Sequence, residues 1–130
     1  MFANFGLYAA FLGTSLALLL SATAAYVMIT PLQEVRLIRG GNRAAALSLG
    51  GAVIGLALTV FGVASSTFVV LELLAWGAAG VAMQVAAYVV VSLVLPDYRR
   101  QIESDQVSYG IAGAAFSIAV GILNAGAIAG

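Results

Sequence analysis

The stretch GLYAAFLGTSLALLLSATAAYVMI, residues 6–29, decides the fold. Its 24 residues carry no charged side chain. A helix rising about 1.5 Å per residue needs roughly 20 such residues to cross about 30 Å of hydrocarbon. Runs such as Phe11–Leu20 do not alternate polar with apolar, so a transmembrane barrel strand is excluded. A helix satisfies its own backbone polar groups in lipid; an isolated strand does not. Three further stretches repeat this character: 44–63, 71–95 (with Glu72 at its start) and 107–126. The composition agrees. The chain is 63% hydrophobic and 8% charged with a mean hydropathy of +1.11, against about 45–50% and about 25% in soluble domains. The expected fold class is an all-α membrane protein, one membrane domain over residues 1–130 with four transmembrane helices.

Composition also removes functions. The absence of Cys and His removes disulfides, thiol nucleophiles and the ordinary zinc, haem and iron–sulfur ligand sets, so no cofactor and no metal is expected. A net charge of zero gives no electrostatic case for nucleic acid. Phe5–Leu20 followed by Ser21-Ala22-Thr23-Ala24 has the shape of a signal segment with a cleavage site, but no Lys or Arg precedes it. It reads as a retained first span.

All five basic residues are arginines in two segments: Arg36, Arg39 and Arg43 after the first span, and Arg99 and Arg100 after the third. The positive-inside rule places both segments in the cytoplasm, giving an N-out/C-out chain in a bacterial inner membrane. Ala64-Ser65-Ser66-Thr67 then faces outward. The two halves echo each other. Pro31 and Pro96 stand 65 positions apart, Asn42 and Asp105, the polar caps expected before the second and fourth spans, stand 63 apart, and Gly55-Leu56-Ala57-Leu58 finds an echo in Gly121-Ile122-Leu123-Asn124. The expectation is two repeated hairpins, about 1–65 (spans 6–29 and 44–63) and about 66–130 (spans 71–95 and 107–126), related by a pseudo-twofold along the membrane normal. Within the first basic segment Leu32, Val35 and Ile38 recur at helical spacing with charges between them, which predicts a short helix lying at the cytoplasmic interface. Its arginines either touch anionic lipid or act as ordinary stop-transfer charges. Gly40-Gly41 should end it and Asn42 should cap the second span.

Helix association in lipid depends on close packing of small side chains. Gly51, Gly55 and Thr59 form such a stripe on the second span. Gly113, Ser117 and Gly121 form one on the fourth, and Gly13, Ala17, Ser21 and Ala25 one on the first. Polar residues at membrane depth are few. Glu72, Trp76, Gly80 and Gln84 follow at four-residue steps on the third span, and Asn124 lies near the end of the fourth. They read either as a polar track from a mouth carboxylate to a deep amide, or as an interfacial acid, a belt tryptophan and interhelical hydrogen bonds. Ser21, Thr59 and Ser92 should bond back to their own helices. No span carries the deep carboxylate that a proton-ring subunit or a proton-coupled exchanger needs. No base stands ready for Ser65 or Ser66, and Gly40-Gly41-Asn42 is a turn and not a phosphate loop. No enzyme is expected.

The run Leu37-Ile38-Arg39-Gly40-Gly41-Asn42-Arg43-Ala44-Ala45-Ala46-Leu47-Ser48-Leu49-Gly50, with Trp76-Gly77 through Gln84 and Ile118-Ala119-Val120-Gly121-Ile122-Leu123-Asn124-Ala125, resembles the YjfL-like family of small bacterial inner-membrane proteins. Gly40 stands where the family pattern often has an acid. The resemblance implies four helices from a duplicated hairpin and an envelope-stress context, with no established catalytic or ligand residue. Two functions remain open: an accessory or assembly subunit that docks identical copies or a membrane-protein partner through small-residue faces, and a homo-oligomeric pore or carrier using the Glu72–Gln84 track.

Overall fold

Turn chemistry cuts the apolar sequence into helices. In the computed structural model, which describes residues 4–31, 33–65 and 69–129 (for 70 and 129, the backbone only), the order is α1 (Phe5–Ile29), α2 (Glu34–Arg39), α3 (Arg43–Ala64), α4 (Val70–Val94), α5 (Tyr98–Glu103) and α6 (Val107–Ala129). No strand occurs among the described residues. Pro31 cannot continue α1, which closes on a bond from the Thr30 N–H to the Tyr26 carbonyl at 3.0 Å. The short helices α2 and α5 end alike. Gly41 (φ +89°) and Asp105 (φ +61°) take the left-handed position, while Asn42 N–H reaches Leu37 O and Gln106 N–H reaches Gln101 O, both at 2.9 Å. This is the Schellman closure, which favours glycine and tolerates aspartate.

The four long helices are apolar enough to span a membrane and pack as a bundle. Its spine is the pair α3 and α6. Ala44 meets Gly110, Gly51 meets Ala114, Gly55 meets Gly121, and Gly62 meets Ala125, so the pair runs parallel along its whole length. A methyl group at Gly51 would lie 2.6 Å from the Ala114 side chain, and one at Gly121 would lie 2.5 Å from the Gly55 carbonyl oxygen. Only glycine permits this approach, and close approach is the main source of helix attraction where lipid tails are as apolar as leucine. Helix α4 packs on both α3 and α6, and α1 packs on α3 and α4. One apolar cluster joins Ala22, Tyr26, Ala52, Leu56 and Val81 at mid-bundle. A second joins Ala44, Ala45, Tyr88, Val91, Tyr98 and Ile102 at the arginine-bearing end, with Leu37 and Ile38 of α2 laid against it.

Helix α1 is held at one end only. Ala22 and Tyr26 are buried, whereas Phe5, Leu7, Tyr8, Leu12, Leu16 and Leu20 are exposed. The small-residue stripe on α1 is packed only at its C-terminal end, where Ala25 lies against the mid-bundle cluster; nothing lies within 4 Å of a side chain placed at Gly13, and Ala17 and Ser21 are exposed. An open apolar groove of about 310 Å³ runs between α1 and α3. Another of about 200 Å³, lined by Thr14, Ala17, Leu18, Ser21, Leu73 and Leu74, runs between α1 and α4.

Candidate functional site

Polar side chains gather in two places: a ladder inside the bundle and a knot at the arginine-bearing end. The ladder sits on the α3–α6 seam. Gln84 of α4 is buried, and its Nε2 donates to the Ser117 carbonyl at 3.0 Å across the gap left by Gly55. Its Oε1 is buried with no hydrogen-bond donor among the described residues. Thr59 returns its hydroxyl to the Gly55 carbonyl at 3.1 Å and accepts from Asn124 Nδ2 at 3.3 Å. Gly80 makes room for the Thr59 methyl group. Ser92 likewise bonds back to the Tyr88 carbonyl at 2.8 Å. The stripe residues thus have distinct neighbours. Gly51, Gly55, Ser117 and Gly121 lie along the α3–α6 contact, Thr59 faces α4 and α6, and Gly113 makes room for the Tyr98 hydroxyl.

Glu72 and Gln84 are not brought onto one face. Gln84 and Gly80 are buried, while Glu72 and Trp76 are exposed. Four residues turn a helix by about 400°, so each step drifts by roughly 40° and three steps carry the stripe around to another side. Ser66 lies outside the described residues, and Ser65 returns its hydroxyl to the Phe61 carbonyl at 2.7 Å.

The knot ties α3 to the turn between α5 and α6. Asn42 Oδ1 accepts from the Ala45 N–H at 2.7 Å, while its Nδ2 donates to the Ile102 carbonyl at 2.7 Å and the Glu103 carbonyl at 3.3 Å. Asp105, expected to cap the fourth span, instead caps the second: its Oδ1 accepts from the Arg43 N–H at 2.8 Å and the Ala44 N–H at 2.9 Å. Arg43 Nε adds an exposed ion pair to Oδ2 at 3.3 Å. The Ala44 N–H first, then Arg43 through side chain and backbone, hold the Asp105 carboxyl below its ordinary range. Arg99 pairs with Glu103 at 3.8 Å, and Arg36, Arg39 and Arg100 are exposed.

Beneath the knot lies a group that the sequence reading did not single out. Glu34 is wholly buried, whereas Val35, one of the apolar residues at helical spacing, is 45% exposed; Leu32 lies outside the described residues. A six-residue helix bearing apolar and charged side chains on several sides does not reveal which side docks. The Thr30 hydroxyl shares its one proton between the Tyr26 carbonyl at 3.0 Å and the Glu34 carboxylate, at 3.3 Å to Oε1 and 3.5 Å to Oε2. Tyr26, Tyr88 and Tyr98 stand close enough to feel its charge. Tyr88 and Tyr98 meet edge to face at 5.7 Å, and the Tyr98 hydroxyl shares a hydrogen bond with Ser48 at 3.0 Å. Burial pushes the Glu34 carboxyl up to about 7, against the opposing effect of its own N–H and of Thr30. Burial also raises the Tyr98 phenol. A cleft of about 540 Å³ lined by Pro31, Tyr88, Ser92, Tyr98, Arg99 and Glu103, among others, opens beside these rings. Among the described residues no group of His, Cys, Asp or Glu converges that could hold a metal ion.

Comparison with known proteins agrees with this architecture. The chain is 28% identical over 100 residues to the inner membrane protein YjfL (UPF0719) of Escherichia coli K12, covering 77% of this chain and 76% of that protein, and to its O157:H7 counterpart to the same extent. No solved structure matches. The family model for DUF350, a domain of unknown function, matches residues 1–128. With four apolar helices of spanning length and an inner-membrane relative, the chain is a multi-pass inner-membrane protein, and it belongs to the DUF350 family.

Proposed function

We propose that this chain is a non-enzymatic accessory subunit, in which a rigid α3–α6 spine presents α1 for docking a second copy or a membrane-protein partner. The observation that carries this reading is the state of α1: its small residues Gly13, Ala17 and Ser21 are exposed, Ala17 and Ser21 line an open apolar groove shared with Leu73 and Leu74 of α4, and a second open groove runs between α1 and α3. A ridge without side chains gives away dispersion contacts to lipid and gains them only against another helix. In the orientation that the arginines favour, the knot and the Glu34 pocket are cytoplasmic and both termini face outward. The matching order of a long, a short and a long helix in each half, and the parallel α3–α6 pair, support a duplicated hairpin. The pore reading is the weaker one, because its track diverges between an exposed Glu72 and a buried Gln84.

The test is native mass spectrometry of the protein released from its own membrane with lipid retained, beside Gly13→Leu and Ala17→Leu variants. The reading predicts a defined complex that both variants dissolve while helix content is unchanged. A monomer in the wild type, or complexes indifferent to both substitutions, would overturn it.

A further inference from the structure

Two features stand outside that reading: the Gln84 amide and the buried Glu34 carboxylate at the arginine-bearing end. Glu34 carries an argument furthest. None of the described elements around it sets a cation against the carboxylate. Helix α1 offers Tyr26 and the Thr30 hydroxyl; α4 offers Tyr88; α5 offers Tyr98, with Arg99 and Glu103 paired to each other and Arg100 exposed; α3 offers Ser48, with Arg43 engaged by Asp105. On α2 itself Arg36 and Arg39 are exposed. No ion pair to Glu34 exists among the described residues. An ionised carboxylate sealed from water without a cation is costly, and the usual resolution is that it binds a proton.

The attachment of α2 makes this consequential. The helix is six residues long and lies between Pro31 and the Gly40-Gly41 turn, so it can move as one piece. It is fixed to the bundle by Leu37, Ile38 and Glu34. An open cleft lined by Pro31, Tyr88 and Tyr98 lies beside the rings that surround the pocket.

We propose that Glu34 is a proton-binding site that latches α2: protonated, it stays buried and α2 stays docked; ionised, it draws α2 away from the bundle toward water. The proton comes from and returns to bulk solvent, and no other group changes state. The burial that raises the carboxyl to about 7 sets the range in which the latch works.

The test uses the full chain in lipid nanodiscs. Infrared difference spectroscopy should show the band of a buried carboxylic acid, present at low pH, lost with a midpoint near 7, and absent in Glu34→Gln. The chain has no cysteine, so Val35→Cys takes a single spin label. Its mobility should rise with the same midpoint and stay low at all pH in Glu34→Gln. Thr30→Val, which removes the hydroxyl that favours the charged form, should shift both midpoints upward and serves if Glu34→Gln fails to fold. A titration near 4.5, or a band unaffected by Glu34→Gln, would overturn the proton site. A titrating carboxyl with an unmoved label would overturn the latch.

Discussion

Replacing Gly121 with alanine adds one methyl group where the α3 and α6 backbones meet at Gly55. That carbon would lie 2.5 Å from the Gly55 carbonyl oxygen and 2.8 Å from the Gly55 carbonyl carbon, where ordinary contact begins at 3.4 Å. Both obstacles are backbone, so no side chain can swing aside. The helices must part by about an ångström, and a gap of that size forfeits roughly a quarter to a half of each contact energy along the seam. Overpacking of this kind costs about 1–3 kcal/mol. Alanine also brings a helix-propensity gain of about 1 kcal/mol, which masks part of the loss. Gly13→Ala provides the control, since it brings the same gain and meets nothing within 4 Å. Reversible unfolding in mixed micelles, followed by far-ultraviolet circular dichroism, should find Gly121→Ala less stable than Gly13→Ala by about 2 kcal/mol. Equal stabilities, within roughly 0.5 kcal/mol, would refute the close-packed spine.

Gln84→Leu should change stability by less than about 1 kcal/mol in the same assay, because the lost bond to Ser117 is offset by removing a buried, undonated oxygen. A much larger loss would mean that Oε1 has a partner of importance. Asn42→Ala removes the α3 cap and both bonds to α5, and should cost about 1–2 kcal/mol, with amide exchange accelerating in α5 and the first turn of α3. Folding stability should fall as pH rises. The folded Glu34 carboxyl titrates near 7 and the unfolded one near 4.5, so the native state holds the extra proton between them. At about 1.4 kcal/mol per pH unit the loss from pH 4 to pH 8 approaches roughly 3 kcal/mol. Unfolding across that range should show it in the wild type and not in Glu34→Gln.

The spans were legible because charge is so rare in this chain that Arg43, Glu72 and Asp105 mark helix ends almost unaided. The α3–α6 seam was legible through Gly51, Gly55, Ser117 and Gly121, since four-residue spacing approximates one helix face over two turns. The same spacing misled on α4, where three steps from Glu72 to Gln84 exceed the width of a face. It could not tell that the α1 ridge stays unpacked, because a small residue reads the same whether it meets a helix or lipid. Asp105 was visible as a cap, but spacing alone assigned it to α6; only the Schellman turn at the end of α5 aims it at α3. The burial of Glu34 had a faint signal, in that Pro31 and the Gly40-Gly41 turn confine α2 tightly beside the bundle.

The claim that α1 docks another protein is tested most directly by photo-crosslinking in the native membrane. A photoreactive residue at Leu20 of α1 is compared with one at Leu93 of α4 and one at Leu123 of α6, all of them exposed on the chain. Discrete protein adducts from position 20, with lipid alone captured at 93 and 123, are the predicted result. Lipid alone at all three positions would contradict it.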